Sequence, residues 1–356
     1  MLTLQQVGDL VGTGARPVSL QAVAHVFGIM VPFSFRQLSH KAESGEVPRP
    51  FYVVAHNPNT ISDVQAALDA GANAIEPDVN VYEDREDQLC ISHGEGDIDA
   101  PSLTKFLADL HDVAVKRSEL CLVVFDCKPK VATAQHGATL LHAIRSLLTF
   151  DTYLNVVISV AELSEGDIFE GIKSVLEARE GLMIDEENDP AGVSAFFSDI
   201  DHQCYGNGIA NVFQGATLSP NIRPSIEKAC ALRAGSGKIK FVYTWTVGDA
   251  DRMREDIRIG VNGIIAGNHP STFDSDSVAK LRAIIDEPEF QSMVRLAGHK
   301  ENPFERSDTA YALQVHTGDE QDAGTDASVT FTLTGTLGSS SKTVDTSLIE
   351  IGRAHV

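Results

Sequence analysis

The 356-residue sequence has no run of eighteen or more apolar residues, so no transmembrane helix is expected. Its most apolar early stretch, 23–35, is broken by His25 and Pro32 and lacks a small-residue cleavage pattern, so no clear signal peptide is expected. Positive charge is scarce: 28 Lys and Arg stand against 50 Asp and Glu, a formal net charge of −22. That balance argues against nucleic-acid partners and nonspecific adhesion to anionic membranes, but not against a zwitterionic lipid. Cysteine is scarce too. Five residues with no CxxC pair give neither a disulfide framework nor a zinc site, and Cys121 and Cys127 read as small buried side chains. The first apolar run is followed by His56-Asn-Pro-Asn59 rather than a glycine-rich turn, which removes the signature of a doubly wound dinucleotide-binding sheet.

What is present is a long alternation of short apolar runs with helical stretches between about 49 and 286. Strands are expected at 51–56, 74–82, 121–128, 154–160, 182–185, 209–213, 239–247 and 263–266, with 88–92 leading into His93. Helices are expected at 60–70, 102–116, 134–148, 165–180, 190–199, 221–234, 249–259 and 274–286. Leu103, Phe106, Leu107, Leu110 and Val113 set the pattern, with caps at Thr60 or Ser62 and a stop at Gly71. Roughly eight strand–helix units in about 235 residues predict an α/β fold, a (β/α)8 TIM barrel.

The 74–82 strand carries the first chemical signal. Glu76, Asp78 and Asn80 share one face, Ile75, Val79 and Val81 the other. Two carboxylates about 6–7 Å apart on a strand repel unless a cation sits between them, and a hard cation such as Mg2+ is the simplest remedy. Barrel chemistry gathers at strand C-termini. Several chemically distinctive residues fall there: His56, Glu76, Asp78, His93, Asp126 with Lys128 on one face, Trp245 (the single tryptophan) and Asn268.

His56, Gly71-Ala-Asn-Ala-Ile-Glu-Pro-Asp78, Ser92-His93-Gly94, Phe125-Asp-Cys-Lys128 and Tyr243-Thr-Trp245-Thr-Val together resemble the sphingomyelinase D/phospholipase D family. That family is the toxin-like branch of the glycerophosphodiester phosphodiesterase superfamily. The His-Asn-Pro-Asn run, in place of His-Arg-Gly with Pro-Glu-Asn, is similar to the sphingomyelinase branch. The resemblance implies Mg2+ on Glu76, Asp78 and Asp126, catalysis by His56 and His93, and substrate contacts from Lys128, Trp245 and Asn268. It implies release of choline from sphingomyelin or lysophosphatidylcholine, often through a cyclic phosphate, by a secreted protein. Which histidine is base and which acid stays open, and His269 stands as the reserve. A glycerophosphodiester phosphodiesterase acting on soluble diesters is the competing enzyme, and an inactive lipid-binding barrel the competitor from another class.

The rest of the chain is read more coarsely. Residues 1–48 are poorly patterned, the barrel is 49–286 with its core complete by about Asp286, and 287–307 is a linker. From 308 to 350, Tyr311-Ala-Leu-Gln-Val-His-Thr-Gly-Asp and the run 323–335 resemble the start of a PLAT/LH2 β-sandwich. Such domains commonly bind lipid surfaces or protein partners, which implies peripheral membrane contact. Residues 351–356 read as a non-native tail.

Overall fold

The computed structural model describes residues 48–94, 96, 99–209, 221–234, 239–269 and 271–305 in full, and the backbone of strands at 19–23, 33–37, 311–315, 329–335 and 338–344. Two compact units result, one spanning Gly45–Arg306 and the other combining Met1–Ser44 with Ser307–Val356.

The larger unit is a closed barrel of eight parallel staves. They are β1 (Arg49–His56), β2 (Ala74–Glu76) continued by β3 (Asp78–Tyr82), β5 (Leu122–Cys127), β6 (Asn155–Val160), β7 (Glu180–Ile184), β8 (Gln203–Gly208), β9 (Ile239–Val247) and β10 (Gly263–Ala266). The last pairs with the first, Ile264 opposite Val53, which closes the ring. A further strand, β4 (Arg85–Ile91), folds back antiparallel on β3 and delivers the loop holding His93. The expected single strand 74–82 is interrupted at Pro77, whose ring nitrogen has no hydrogen to give the ladder.

Side chains alternate across each stave, so the wall has two apolar faces. Val54, Leu122, Val124, Val157, Met183, Phe241 and Ile265 fill the inside of the barrel, while Val53, Ile75, Val123, Ile158, Leu182 and Ile264 pack under the helices. Those helices start where short polar side chains accept a free backbone N–H: α1 (Ile61–Asp69) at Thr60, α2 (Leu103–Lys116) at Ser102 and α3 (Ala134–Leu147) at Thr133. After α4 (Asp167–Glu170), α5 (Pro190–Phe196) and α6 (Ile222–Ala234), α7 (Ala250–Ile259) stops at Gly260, held at φ +105°. Then α8 (Ser275–Ile285) starts on Asp274.

Three expectations are corrected. The sixth stave is 203–208, not the more apolar 209–213 run, of which only Ile209 is described. Gly206 and Gly208 explain the choice, because a Cβ at either would meet the Tyr243 ring at 2.5 Å or Trp245 O at 1.6 Å. That stave yields its inner volume to the aromatics of β9. The 165–180 helix shrinks to α4, since Gly171 presses on the Ala134 carbonyl, with an added Cβ only 2.2 Å from it. Finally, 287–305 does not hang free as a linker. It forms α9 (Pro288–Gln291) and β11 (Val294–Leu296), the latter pairing with Arg49–Phe51, and sends Ala297 and Phe304 into the barrel's inner cluster. Asn73 donates to Ala297 O (3.1 Å) and Asn155 to Glu301 O (2.8 Å), so this segment is the floor of the barrel.

A chain ended after residue 306 is therefore expected to melt with the intact barrel. One ended after Asp286 strips out Phe290, Val294, Ala297 and Phe304, all under 5% exposed. At about 1.5–3 kcal/mol per large side chain it should melt at least about 10 °C lower or fail to accumulate. Equal melting temperatures would make the segment a passive linker after all.

In the second unit, strand 329–335 pairs antiparallel with 19–23 and with 338–344, and 311–315 pairs antiparallel with 33–37. Strands thus occur within both runs expected to hold them, and the poorly patterned N-terminal segment supplies partners. The remaining residues of these segments, 351–356 included, lie outside the described ones.

Candidate active site

Register carries the site. His56 stands opposite Glu76, Asp78 opposite Asp126, and Asp126 opposite Ser159, so neighbouring staves end on one polar layer at the top of the barrel. Glu76, Asp78 and Asp126 each offer a carboxylate oxygen within 4.8 Å of the others. Lys128, next on the face of Asp126, reaches the two aspartates, its Nζ 2.5 Å from Asp78 Oδ1 and hydrogen bonded to Asp126 Oδ2.

The electrostatics show a cluster short of positive charge. Burial, then the charges of Asp78 and Asp126, pushes Glu76 well above the usual carboxylate range. Burial and Asp78 raise Asp126 despite the attraction of Lys128. Burial would lift Asp78 as well, but His93, Lys128 and Asn59 hold it down to about 2. One ammonium does not satisfy three clustered carboxylates, two of them buried. Oxygen donors, close spacing and surplus negative charge are what a hard divalent cation requires, and the residues fit one.

The two histidines reach this cluster from different loops. His56 ends β1 and is 8% exposed. Burial drives it down to about 4 against the pull of Asp78, so its imidazole is neutral at neutral pH. After it, Asn57 takes a left-handed φ of +52°, which asparagine tolerates better than most residues, and its N–H donates to Glu76 Oε2 at 3.1 Å. Two residues on, the Asn59 amide donates to Asp78 Oδ2 (2.7 Å) while accepting from Asp78 N–H (2.9 Å). The His-Asn-Pro-Asn run is therefore a clamp on the carboxylates. His93 is more exposed, with Nδ1 3.5 Å from Asp78 Oδ2 and its carbonyl accepting from Asn80 Nδ2 at 3.4 Å.

The remaining expected residues divide. Trp245 stands at the end of β9, its Nε1 donating to Asp185 O at 2.8 Å. Asn268 stands just past the end of β10. Its amide donates to Asp274 Oδ2 and Ser277 Oγ, both at 2.8 Å, which ties the rim to the start of α8. Asp185 itself escaped the sequence reading, although it closes the apolar run 182–185 as Asp126 closes its own strand. Its Oδ2 accepts from Tyr243 OH at 2.5 Å and Ser159 Oγ at 3.2 Å. Nearby Glu165 and Glu186 are both raised, first by burial and partly by Asp126, so this side of the rim is acidic throughout.

Residues 46–304 match the family described as Dermonecrotic toxin SPH. Dermonecrotic toxin LarSicTox-betaID1 of Loxosceles arizonica is 25% identical over 289 residues, covering 72% of this chain and 94% of the relative. Dermonecrotic toxin SPH of Ixodes scapularis is 27% identical over 291 residues, covering 72% of this chain and 76% of its own. Among solved structures, a glycerophosphodiester phosphodiesterase from Parabacteroides distasonis superposes with a TM-score of 0.46 at 16% identity, over 67% of this chain and 98% of that one.

Proposed function

The chain belongs to the dermonecrotic toxin SPH family and is a phosphodiesterase of the sphingomyelinase D type, and from that premise we propose that it is a Mg2+-dependent phospholipase D releasing choline from sphingomyelin or lysophosphatidylcholine. The observation that carries this reading is the cluster of Glu76, Asp78 and Asp126, with Lys128 on the two aspartates, the buried neutral His56 beside Glu76 and the exposed His93 at Asp78. Mg2+ held by the three carboxylates would neutralise charge on the non-bridging phosphate oxygens.

The chain's own groups do the rest. Lys128 adds a point charge toward the same oxygens. His56, neutral, takes the proton of the attacking hydroxyl. His93, oriented through Nδ1 by Asp78, returns a proton to the departing choline oxygen from its other nitrogen. When the attacker is the lipid's own hydroxyl, its oxygen bonds to phosphorus as the choline–oxygen bond to phosphorus breaks, leaving a cyclic phosphate. The Trp245 indole suits a quaternary ammonium. The toxin names of the relatives support a secreted protein, and no described helix is long and apolar enough to cross a membrane. Strands at 311–315 and 329–335 support reading 308–350 as part of a PLAT/LH2-like domain that meets lipid surfaces.

Mass spectrometry of products from sphingomyelin, lysophosphatidylcholine and glycerophosphocholine with Mg2+ tests this. Free choline and a lipid phosphate one water lighter than the linear product are expected from the first two. Cleavage of glycerophosphocholine alone would move the substrate to soluble diesters, and no cleavage at all would leave a lipid-binding barrel.

A further inference from the structure

Two of the three clustered carboxylates are held by side chains. Asp78 takes the Asn59 amide and Lys128, with His93 at 3.5 Å, and Asp126 takes Lys128. Glu76, 4% exposed, is held differently. Among the described residues its carboxylate accepts only a backbone N–H, that of Asn57, at 3.1 Å. The same N–H lies 3.1 Å from the Glu76 carbonyl oxygen.

The residue supplying that N–H has an uncommon backbone. Among the described residues Asn57 is the one non-glycine with a positive φ, +52°. Two local preferences oppose it. A β-carbon crowds the backbone at positive φ, and the ring of Pro58 pushes the residue before it toward extended, negative-φ backbone. Asparagine softens the first preference and leaves the second intact. A disfavoured conformation persists only where its surroundings over-determine it. Here they do so from both sides. Before the kink, the Asn57 N–H sits on Glu76. After it, the Asn57 carbonyl accepts the Asn59 N–H at 2.8 Å, and the Asn59 amide closes on Asp78 at both ends. Asn57 and Pro58 alone join His56, in register with Glu76, to Asn59 on Asp78. A residue that resists positive φ has to release one carboxylate or the other.

We propose that Asn57 is a positioning residue of the cation site, its left-handed backbone rather than its amide holding Glu76 and Asp78 at the spacing one ion can bridge. This assignment rests on the divalent-cation part of the proposed function and not on the choline lipid, so the two can fail separately.

Glycine and alanine at position 57 separate backbone from side chain. Both lack the amide, but glycine enters the left-handed region freely and alanine does not. Isothermal titration of the full chain with Mg2+, without lipid, is read for the unaltered protein, Asn57→Gly and Asn57→Ala. The glycine variant is expected to bind within about twofold of the unaltered protein. The alanine variant is expected to bind about tenfold more weakly, because the ion must first draw the turn into its competent form. A thermal melt without the ion is the control. A merely structural role lowers the melting temperature and leaves the two variants with equal affinity, which overturns the assignment. A tenfold loss in Asn57→Gly, or unchanged affinity in a folded Asn57→Ala, overturns it too. Should Asn57→Ala not fold, Asn57→Ser replaces it, since its β-carbon also disfavours positive φ. A split between glycine and alanine without cleavage of any choline lipid removes the substrate reading and supports the assignment. Cleavage of choline lipids with no split does the reverse. No Mg2+ binding by the unaltered protein ends the metal assignment and this one with it.

Discussion

Replacing His56 or His93 with asparagine is expected to lower turnover roughly 10²–10⁴-fold, with the barrel still folded. His56→Asn should act on chemistry rather than on binding. The side chain is buried beside Glu76 and is assigned to proton transfer, so KM should change little while kcat collapses. Both histidines are assigned to one proton-transfer sequence, so the double variant should lose far less than the product of the single losses. A pH profile adds a separate check. An ordinary histidine is half protonated near pH 6.5, whereas His56 stays neutral down to about 4. With metal saturating, kcat/KM should therefore not show an acid limb attributable to this base between pH 7 and 5.5. The same shift bears on stability. A histidine whose folded pKa is depressed favours folding above its unfolded value, and that contribution is lost as pH falls from about 6.5 toward 4. A His93→Asn enzyme with near-normal turnover would dismiss His93, and His269 would be tried next.

Chelating divalent metal is expected to abolish activity and leave the far-ultraviolet circular dichroism of the barrel in place. The carboxylates are held by the scaffold itself, through Asn59, Asn57 N–H and Lys128, so folding does not wait for the ion. Asp126→Asn preserves volume and one oxygen donor but removes a charge, so metal affinity should fall about 10–100-fold. Its effect on the melting temperature should be small or favourable, because a carboxyl raised by burial and by Asp78 gives way to a neutral group. Isothermal titration with Mg2+, together with turnover in EDTA, measures both. Full activity in EDTA would end the metal assignment, and unchanged affinity in Asp126→Asn would remove that residue from it.

Much of the fold could be read because its signals are local. The bounds of β9 and β10 match the expected ones, since the first is a run of β-branched and aromatic residues and the second a short apolar run set off by Gly263 and Gly267. The cap at Thr60 places one helix and the apolar spacing of Leu103, Phe106, Leu107, Leu110 and Val113 another, for the same reason. What failed depends on distant partners. Nothing local in Gln203-Cys-Tyr-Gly-Asn-Gly says that its glycines make room for Tyr243 and Trp245. Nor does a polar stretch around 287–305 announce that Phe304 fills the barrel floor, where an added Cβ on Gly181 would meet its ring at 2.6 Å. At the candidate site the shared faces of Glu76 with Asp78 and of Asp126 with Lys128 are legible from the period-two rule. Asp185 was missed because its strand is only five residues long and it lies just past the end. The link from Asn268 to Asp274 and Ser277 is likewise visible only once α8 has folded back.

The floor also sets a clock on biosynthesis. Asn73, beside the second stave, bonds to a carbonyl 224 residues later, at Ala297. At a synthesis rate of about 5–20 residues per second, β1 and its neighbour leave the ribosome roughly 10–45 s before their last partners exist. Through that interval Phe51-Tyr-Val-Val, destined to be fully enclosed, has only nascent chain around it. The nascent barrel should consequently be a chaperone client until its final turn emerges, and its yield in a host should respond to translation speed more than to the stability of the finished protein.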